Sequence, residues 1–167
     1  MNNEAPAAAV DAYIGLGANL GDPVSTLRAA VLALAALPAT ALVAQSGLYA
    51  SAPVDAQGPE FINAVVQLRT SLAPLVLLAA LQAIENKAGR QRPYRNAPRT
   101  LDLDLLSYGI TACHTPQLTL PHPRLHLRLF VLAPLLELAP QLQLPGLGPL
   151  QQHLPAVASQ VLRRLAD

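Results

Sequence analysis

The sequence contains few of the residues that build disulfides, metal clusters or large aromatic surfaces. Its 167 residues include one cysteine, one methionine and no tryptophan, and aromatic residues make up 4% of the chain. With Cys113 alone, an intrachain disulfide is impossible and a zinc site built from cysteines is excluded. Charged residues make up only 13% and the net charge is +1, so there is no general positive field for binding nucleic acid.

Long apolar runs are also missing. The longest, at residues 72–81, contains Pro74 and is too short to span a bilayer. Residues 1–10 lack the basic segment and apolar core of a signal peptide. We therefore expect a cytoplasmic protein with a loose Ala- and Pro-rich tail at 1–11 and a single domain at 12–167.

The most informative stretch alternates leucine with aspartate between Leu101 and Leu105. This period of two predicts a strand with one apolar and one polar face, on which the Cα atoms of Asp102 and Asp104 are about 6 to 7 Å apart. Two carboxylates at that distance repel each other unless a cation lies between them. Two carboxylates completed by substrate phosphates are typical of Mg²⁺ sites. The alternative is an edge strand whose solvated acids prevent aggregation.

A cluster of basic residues leads directly into this strand. Five of the eleven lysines and arginines stand here: Lys87, Arg90, Arg92, Arg95 and Arg99. Arginine binds phosphate oxygens through its planar fork, and a metal held by carboxylates binds the same phosphates from the other side. Ion pairs with the two aspartates alone would need fewer arginines. The pattern therefore favours a clamp for a small polyphosphate ligand.

The elements are predicted in the order β-α-β-β-α-β. Predicted strands lie at 12–17, 40–48, 61–70 and 101–108, and predicted helices begin at Pro23 and Pro74. This order is typical of the ferredoxin-like α+β fold, a split βαβ unit with a four-stranded, mainly antiparallel sheet and two helices on one face, which would leave the other face for loops. Further along, we assign 49–60 to a loop, 111–120 to a hairpin, 130–139 to a helix and 150–165 to an amphipathic closing helix.

Two polar residues interrupt apolar patterns. Asn63 lies within a predicted strand, and if it faces a cleft it offers a donor and an acceptor side by side. Phe61, on the same face, would lie against a flat ligand. Glu85 stands in the last turns of its helix, where the helix dipole disfavours an acid, so that a solvated acid and a functional one both stay open.

His122 and His126 are four residues apart in a stretch that also contains two arginines. The spacing suits zinc on a helix, but Pro123 disfavours a regular helix through both residues. A phosphate or nucleotide contact is therefore the preferred interpretation for this loop.

Four motifs together resemble the 6-hydroxymethyl-7,8-dihydropterin pyrophosphokinase family of folate biosynthesis. They are Tyr-Ile-Gly-Leu-Gly-Ala-Asn-Leu-Gly at 13–21, Phe-Ile-Asn-Ala at 61–64, Pro-Arg-Thr-Leu-Asp-Leu-Asp-Leu-Leu at 98–106 and Pro-His-Pro-Arg at 121–124. The resemblance implies a ferredoxin-like α+β fold. It also implies transfer of the β,γ-pyrophosphoryl group of ATP to the hydroxymethyl oxygen of the pterin, with release of AMP.

The resemblance also implies roles for individual residues. Asp102 and Asp104 would hold two Mg²⁺ ions that bridge the triphosphate and the attacking hydroxyl. The pterin would meet the Asn63 amide, the rings of Phe61 and Phe130, and backbone groups of Ser51, Pro53 and Val54. ATP would contact Glu85, Arg92, Arg99, His122 and Arg128, while Arg90 and Arg95 close over it. Arg90, Arg92 and Arg95 are accordingly counted with the two aspartates as catalytic.

Two other hypotheses stay open. A ferredoxin-like domain that only senses a nucleotide needs the arginines but not two converging carboxylates. A structural or interaction module needs the acidic pair only to protect a sheet edge. The expected partners are ATP and the pterin, without nucleic acid or membrane, and we expect a monomer, with a dimer as the alternative.

Overall fold

The computed structural model describes residues 8–53, 58–89 and 100–166. The strands are β1 (Val10–Ala18), β2 (Thr40–Gln45), β3 (Tyr49–Ser51), β4 (Phe61–Thr70), β5 (Asp102–Tyr108), β6 (Cys113–His114), β7 (Thr119–Leu120), β8 (Gln143–Leu144), β9 (Gly148–Pro149) and β10 (Leu162–Arg164). The helices are α1 (Pro23–Ala35), α2 (Pro74–Ala88), α3 (Leu129–Leu138) and the single turn α4 (Leu154–Val157), with 3₁₀ turns at Leu125–Leu127 and Leu150–His153.

The main sheet has the strand arrangement of the ferredoxin-like fold. Strand β1 pairs antiparallel with β4 on one side and with β5 on the other, and β2 pairs antiparallel with β4. The predicted order of elements is therefore confirmed. The number of strands was underestimated, because β3 pairs with β4 and β10 pairs with β3, which gives six strands within the described residues.

One face of the sheet is covered by α1 and α2, as predicted. The helix α1 begins after Asp22, whose carboxylate accepts a hydrogen bond from the Ser25 N–H at 3.2 Å, the arrangement expected of an N-cap. Ile14 of β1 and Leu68 of β4 are fully buried under Leu34 of α1 and Leu81 of α2. Burial of these side chains is the main source of stability on this face.

The opposite face of the sheet is not left to loops, contrary to our prediction. Helix α3 packs here, so that Tyr13, Val65 and Leu106 from the sheet meet Leu132 and Leu135. Side chains along each strand point alternately to the two faces of the sheet, so both faces need apolar partners. The apolar residues that point away from α1 and α2 therefore pack against a second layer. Helix α3 provides them, being apolar on most of its surface.

The last residues differ from the predicted closing helix. The segment 150–165 contains a 3₁₀ turn, α4 and β10, in which Leu162 pairs with Ser51 and Arg164 with Tyr49. The free edge of β3 offers unpaired backbone groups, and pairing with them outweighs the helical period of the local sequence. Tyr49–Ser51 is itself a strand through its pairing with β4, although we had predicted a loop.

Two boundaries also shift. Strand β1 begins at Val10, so Val10 and Asp11 belong to the sheet although we had placed them in the tail. They pair with Thr70 and Arg69 of β4, and Asp11 forms a 3.2 Å ion pair with Arg69. The predicted hairpin at 111–120 is confirmed by the pairing of β6 with β7, and the predicted helix at 130–139 is confirmed as α3.

Candidate active site

The motif residues of three strands line up in neighbouring rows of the sheet. Gly17 of β1 is the cross-strand partner of Asn63 in β4 and of Asp102 in β5. Two residues further along β1, and therefore on the same face of the sheet, Gly15 is the partner of Asp104. The antiparallel register therefore brings together residues that are far apart in the chain, from 46 positions for Gly17 and Asn63 to 89 positions for Gly15 and Asp104.

A cavity of about 320 Å³ opens over these rows. Residues predicted from the sequence that line it are Ser51, Phe61, Asn63, Asp102, Asp104, Arg128 and Phe130. The walls also include Gly15, Gly17 and Val131, which the sequence had not singled out as contacts. A volume of this size is typical of a site for a small organic ligand.

The two aspartates lie as the leucine–aspartate alternation predicts. Asp102 and Asp104 are half-buried and both line the cavity, whereas the leucines at 101, 103 and 105 are buried in the core. Behind them, a Glu85 Oε2 atom of α2 accepts a hydrogen bond from the Leu103 N–H at 2.8 Å. This bond attaches the peptide between the two aspartates to α2, which is a function that the sequence did not reveal for Glu85.

Asn63 approaches Gly17 closely, so a side chain at position 17 would crowd it. A Cβ atom at Gly17 would lie 3.3 Å from Asn63 Oδ1 and would project into the cavity. The Asn63 side chain is only 4% exposed, and its Nδ2 donates hydrogen bonds to Ser51 Oγ at 2.7 Å and to Tyr49 O at 3.4 Å. The amide is thus held in a defined orientation, with its oxygen on the side of β1.

His122 lies beside this cavity rather than in its wall. With Asp104 it lines an adjoining depression of about 280 Å³, so that Asp104 is shared by both spaces. Burial lowers the pKa of His122, the Asp104 carboxylate partly offsets this, and the charges of Arg128 and Arg124 lower it further. Because Nδ1 accepts a hydrogen bond from the Arg124 N–H at 3.1 Å, the neutral ring carries its proton on Nε2.

Arg128 and Phe130 enter the cavity from the start of α3. The Arg128 guanidinium carbon lies 5.7 Å from the centroid of the Phe130 ring, within the range of a cation–π contact. The cavity consequently has an aromatic and cationic wall opposite the sheet.

Several predicted residues are not placed by these observations. Val54, Arg90, Arg92, Arg95 and Arg99 lie outside the described residues. Pro53 is described, but the wall on its side is formed by Ser51 and Ala52.

The carboxylate pair fits a hard cation that also binds phosphates. Within the described ranges, no three His, Cys, Asp or Glu side chains converge as a complete metal site. Mg²⁺ does not need one, since it is commonly held by one or two carboxylates together with waters and substrate phosphates. Half-buried Asp102 and Asp104 in one cavity provide those two carboxylates.

A ferredoxin-like sheet that presents two carboxylates, two phenylalanines and an arginine around one cavity suits an enzyme that binds a phosphorylated ligand next to a flat ring. The particular family follows from comparison with known proteins. Residues 13–140 match the 7,8-dihydro-6-hydroxymethylpterin-pyrophosphokinase (HPPK) family. The chain belongs to this family.

Similar proteins carry the corresponding name. The chain is 47% identical over 154 residues to 2-amino-4-hydroxy-6-hydroxymethyldihydropteridine pyrophosphokinase of Pseudomonas aeruginosa, covering 92% of this chain and 95% of that protein. It is 47% identical over 138 residues to the enzyme of the same name from Haemophilus influenzae, covering 82% and 86%. A Bacillus subtilis relative of the same name is 44% identical over 133 residues, covering 79% and 80%.

Solved structures of larger proteins share the fold. A Plasmodium falciparum HPPK-DHPS variant superposes with a TM-score of 0.74 at 14% identity, over 95% of this chain and 47% of that one. An HPPK-DHPS in complex with substrates gives 0.70 at 12% identity, over 89% and 43%. In the described part of the present chain, every helix is too short or too polar to cross a bilayer.

Proposed function

We propose that Asp102 and Asp104 are the centre of a reaction in which the β,γ-pyrophosphoryl group of ATP passes to 6-hydroxymethyl-7,8-dihydropterin. The family match and the relatives show the activity itself, that of a pyrophosphokinase acting on hydroxymethyldihydropterin in folate biosynthesis. The observation that supports these two residues is their position in one cavity with Asn63, Phe61 and Phe130.

The sheet side of the cavity suits the pterin. Its fused ring is flat, and Phe61 and Phe130, which both line the cavity, would contact the two faces of such a ring. Its amide edge carries N–H donors, and Asn63 Oδ1 can accept from one of them in a fixed orientation, because Nδ2 donates to Ser51 Oγ and Tyr49 O. Backbone groups of Ser51, Pro53 and Val54 would complete this edge.

The carboxylate side suits the triphosphate. Asp102 and Asp104 would hold two Mg²⁺ ions, which when bound neutralise phosphate charge and lower the pKa of the hydroxymethyl group. Arg128 reaches the same cavity, and His122 carries a proton on Nε2 that can be donated to a phosphate oxygen. We assign further ATP contacts to Glu85, Arg92 and Arg99, and the closing of the site over ATP to Arg90 and Arg95.

The chain's contribution to transfer is positioning and charge stabilisation, which is what pyrophosphoryl transfer requires. The β1–β5 ladder fixes the spacing of Asp102 and Asp104, and the Glu85 bond to Leu103 N fixes the peptide between them. Because these groups are held before the substrates arrive, little reorganisation is needed during the reaction.

The chain is further proposed to act as a cytoplasmic monomer. One chain brings the pterin wall and the carboxylate pair together, so a second copy is not needed to complete this cavity. Sedimentation of the purified chain tests the oligomeric state, and localisation of a tagged chain in cells tests the compartment.

The direct test supplies the purified chain with ATP, Mg²⁺ and 6-hydroxymethyl-7,8-dihydropterin and separates the nucleotides by chromatography. We expect AMP to accumulate in equal amount to the pyrophosphorylated pterin, and only when the pterin is present. Release of ADP, or release of AMP without pterin, would contradict the proposal.

A further inference from the structure

Gln160 contacts the chain on both sides of Arg128. It lies between α4 and β10, beyond the residues 13–140 that match the family. Its Oε1 accepts a hydrogen bond from the Leu129 N–H at 2.9 Å, and its Nε2 donates to Leu127 O at 2.9 Å. Both distances are those of well-formed hydrogen bonds.

These two hydrogen bonds are made to backbone groups at the ends of two helical segments. Leu129 is the first residue of α3, and the first N–H groups of a helix have no intrahelical acceptor. Leu127 ends the preceding 3₁₀ turn. Arg128 stands between them in an extended conformation, with φ −129° and ψ 114°, so the Gln160 amide fixes the peptide on each side of it.

Gln160 is itself held to the wall of the cavity. Two residues further on, Leu162 begins β10 and pairs with Ser51, which lines the cavity. Strand pairing and the Gln160 hydrogen bonds therefore connect Ser51 on the proposed pterin side of the cavity to Arg128 on its cationic side.

We propose that Gln160 is a positioning residue that holds the backbone of Arg128 so that its guanidinium reaches the phosphates of ATP. This inference rests on the proposed function, because it takes the Arg128 side chain to be an ATP contact. Gln160 does not touch the substrates, and it acts through Arg128 alone.

The test compares two glutamines of the C-terminal segment. Gln160→Met keeps the length of the side chain and removes both hydrogen bonds, and we expect the KM for ATP to rise about 3- to 10-fold with smaller changes in kcat and in the KM for the pterin. The matched control is Gln152→Met, because the exposed Gln152 Nε2 also donates to a backbone oxygen, Leu147 O, at 2.7 Å. This control is expected to leave all three constants unchanged.

A second variant separates the two bonds. Gln160→Glu keeps an acceptor for the Leu129 N–H and loses the donor to Leu127 O, so we expect a smaller rise in the KM for ATP than in Gln160→Met. Melting temperatures establish that each variant is folded. An unchanged KM for ATP in both Gln160 variants, or an equal rise in the Gln152 control, overturns the proposal.

A double-mutant cycle tests whether Gln160 acts through Arg128. In an Arg128→Ala background, Gln160→Met is expected to cause no further loss of kcat/KM for ATP, whereas independent effects would multiply. If the effects of Gln160→Met and Arg128→Ala on kcat/KM for ATP multiply, Gln160 does not act through Arg128 and the proposal is overturned. Failure of the proposed function is recognised separately, because the unaltered chain would then form no AMP in response to the pterin.

Discussion

Asn63 and Asp102 lie in one row of the sheet, each the cross-strand partner of Gly17. With strands about 4.8 Å apart, this places their Cα atoms about 10 Å from each other. The glycine between them carries no side chain, so the space over the row stays open as part of the cavity. The residue proposed for the pterin edge and a residue proposed for the metal are therefore on opposite sides of one gap.

Closing this gap should impair pterin binding first. In Gly17→Ala the new methyl group would lie 3.3 Å from Asn63 Oδ1 and would displace the amide or the ligand. We expect the KM for the pterin to rise up to about tenfold, which corresponds to the loss of one hydrogen bond of about 1.4 kcal/mol. Steady-state kinetics with each substrate varied measure this, and in an Asn63→Ala background the effect of the methyl should be smaller.

Removal of either carboxylate should abolish transfer without unfolding the chain. Asp102→Asn and Asp104→Asn keep the size of the side chain but weaken the hold on a cation, and we expect kcat to fall at least about 100-fold. The control is Asp11→Asn on β1, where Asp11 forms an exposed ion pair with Arg69 outside the cavity. Near-normal turnover in either cavity variant would refute the assigned role.

The Glu137 carboxylate should make the stability of the fold depend on pH. Its oxygens accept hydrogen bonds from Tyr49 OH at 2.6 Å and from the Gly47 N–H at 3.0 Å, and Arg164 Nε lies 3.5 Å away. Partial burial raises the pKa of Glu137, but the bonds from Tyr49, Gly47 and Arg164 outweigh this and leave the pKa below its usual value.

The sign of the effect follows from that lowered pKa. The ionised carboxylate stabilises the fold above the pKa of the unfolded chain, and this contribution is lost as the pH falls through the lower pKa of the folded chain. We expect Glu137→Gln to reduce the free energy of unfolding by about 1 to 2 kcal/mol at pH 7, and by less below about pH 4. Urea unfolding at several pH values measures this difference.

A second glutamate near β10 is the matched control. Glu60 forms a 3.2 Å ion pair with Arg163, but both side chains are more than half exposed. Surface pairs of this kind contribute little, so Glu60→Gln should change the free energy of unfolding by less than about 1 kcal/mol at any pH. Equal losses in the two variants would mean that the Glu137 hydrogen bonds contribute nothing specific.

Two leucines of α1 test the packing of that helix. Leu34 is fully buried against the sheet, whereas Leu32 of the same helix is 72% exposed. We expect Leu34→Ala to lower the free energy of unfolding by about 2 to 5 kcal/mol and Leu32→Ala to change it by less than about 0.5 kcal/mol. Chemical denaturation of both variants measures the two free energies of unfolding. Equal losses in Leu34→Ala and Leu32→Ala would contradict the described packing.

Features that depend on local periodicity could be predicted from the sequence. The alternation from Leu101 to Leu105 predicted β5, its buried leucines and the shared face of its two aspartates. Pro23 predicted the start of α1. The family resemblance added Phe130, which local periodicity alone would not have connected to a site formed by residues 61–104.

Features that depend on pairing between distant segments could not be predicted. Strand β10 forms because β3 leaves an edge to pair with, and residues 150–165 taken alone favour a helix. The bond from Leu103 N to Glu85 and the contacts of Gln160 likewise join a side chain to backbone groups 18 to 33 positions away. No pattern within one element indicates such a partner.

The central claim is that Asp102 and Asp104 together hold the metal ions that the nucleotide needs. Electron paramagnetic resonance can count bound Mn²⁺, used in place of Mg²⁺, in the presence of a non-hydrolysable ATP analogue and the pterin. We predict about two ions per unaltered chain, consistent with one or two carboxylates per hard cation, and fewer in Asp102→Asn and Asp104→Asn. Equal numbers of bound ions in the unaltered chain and in both variants would contradict the account.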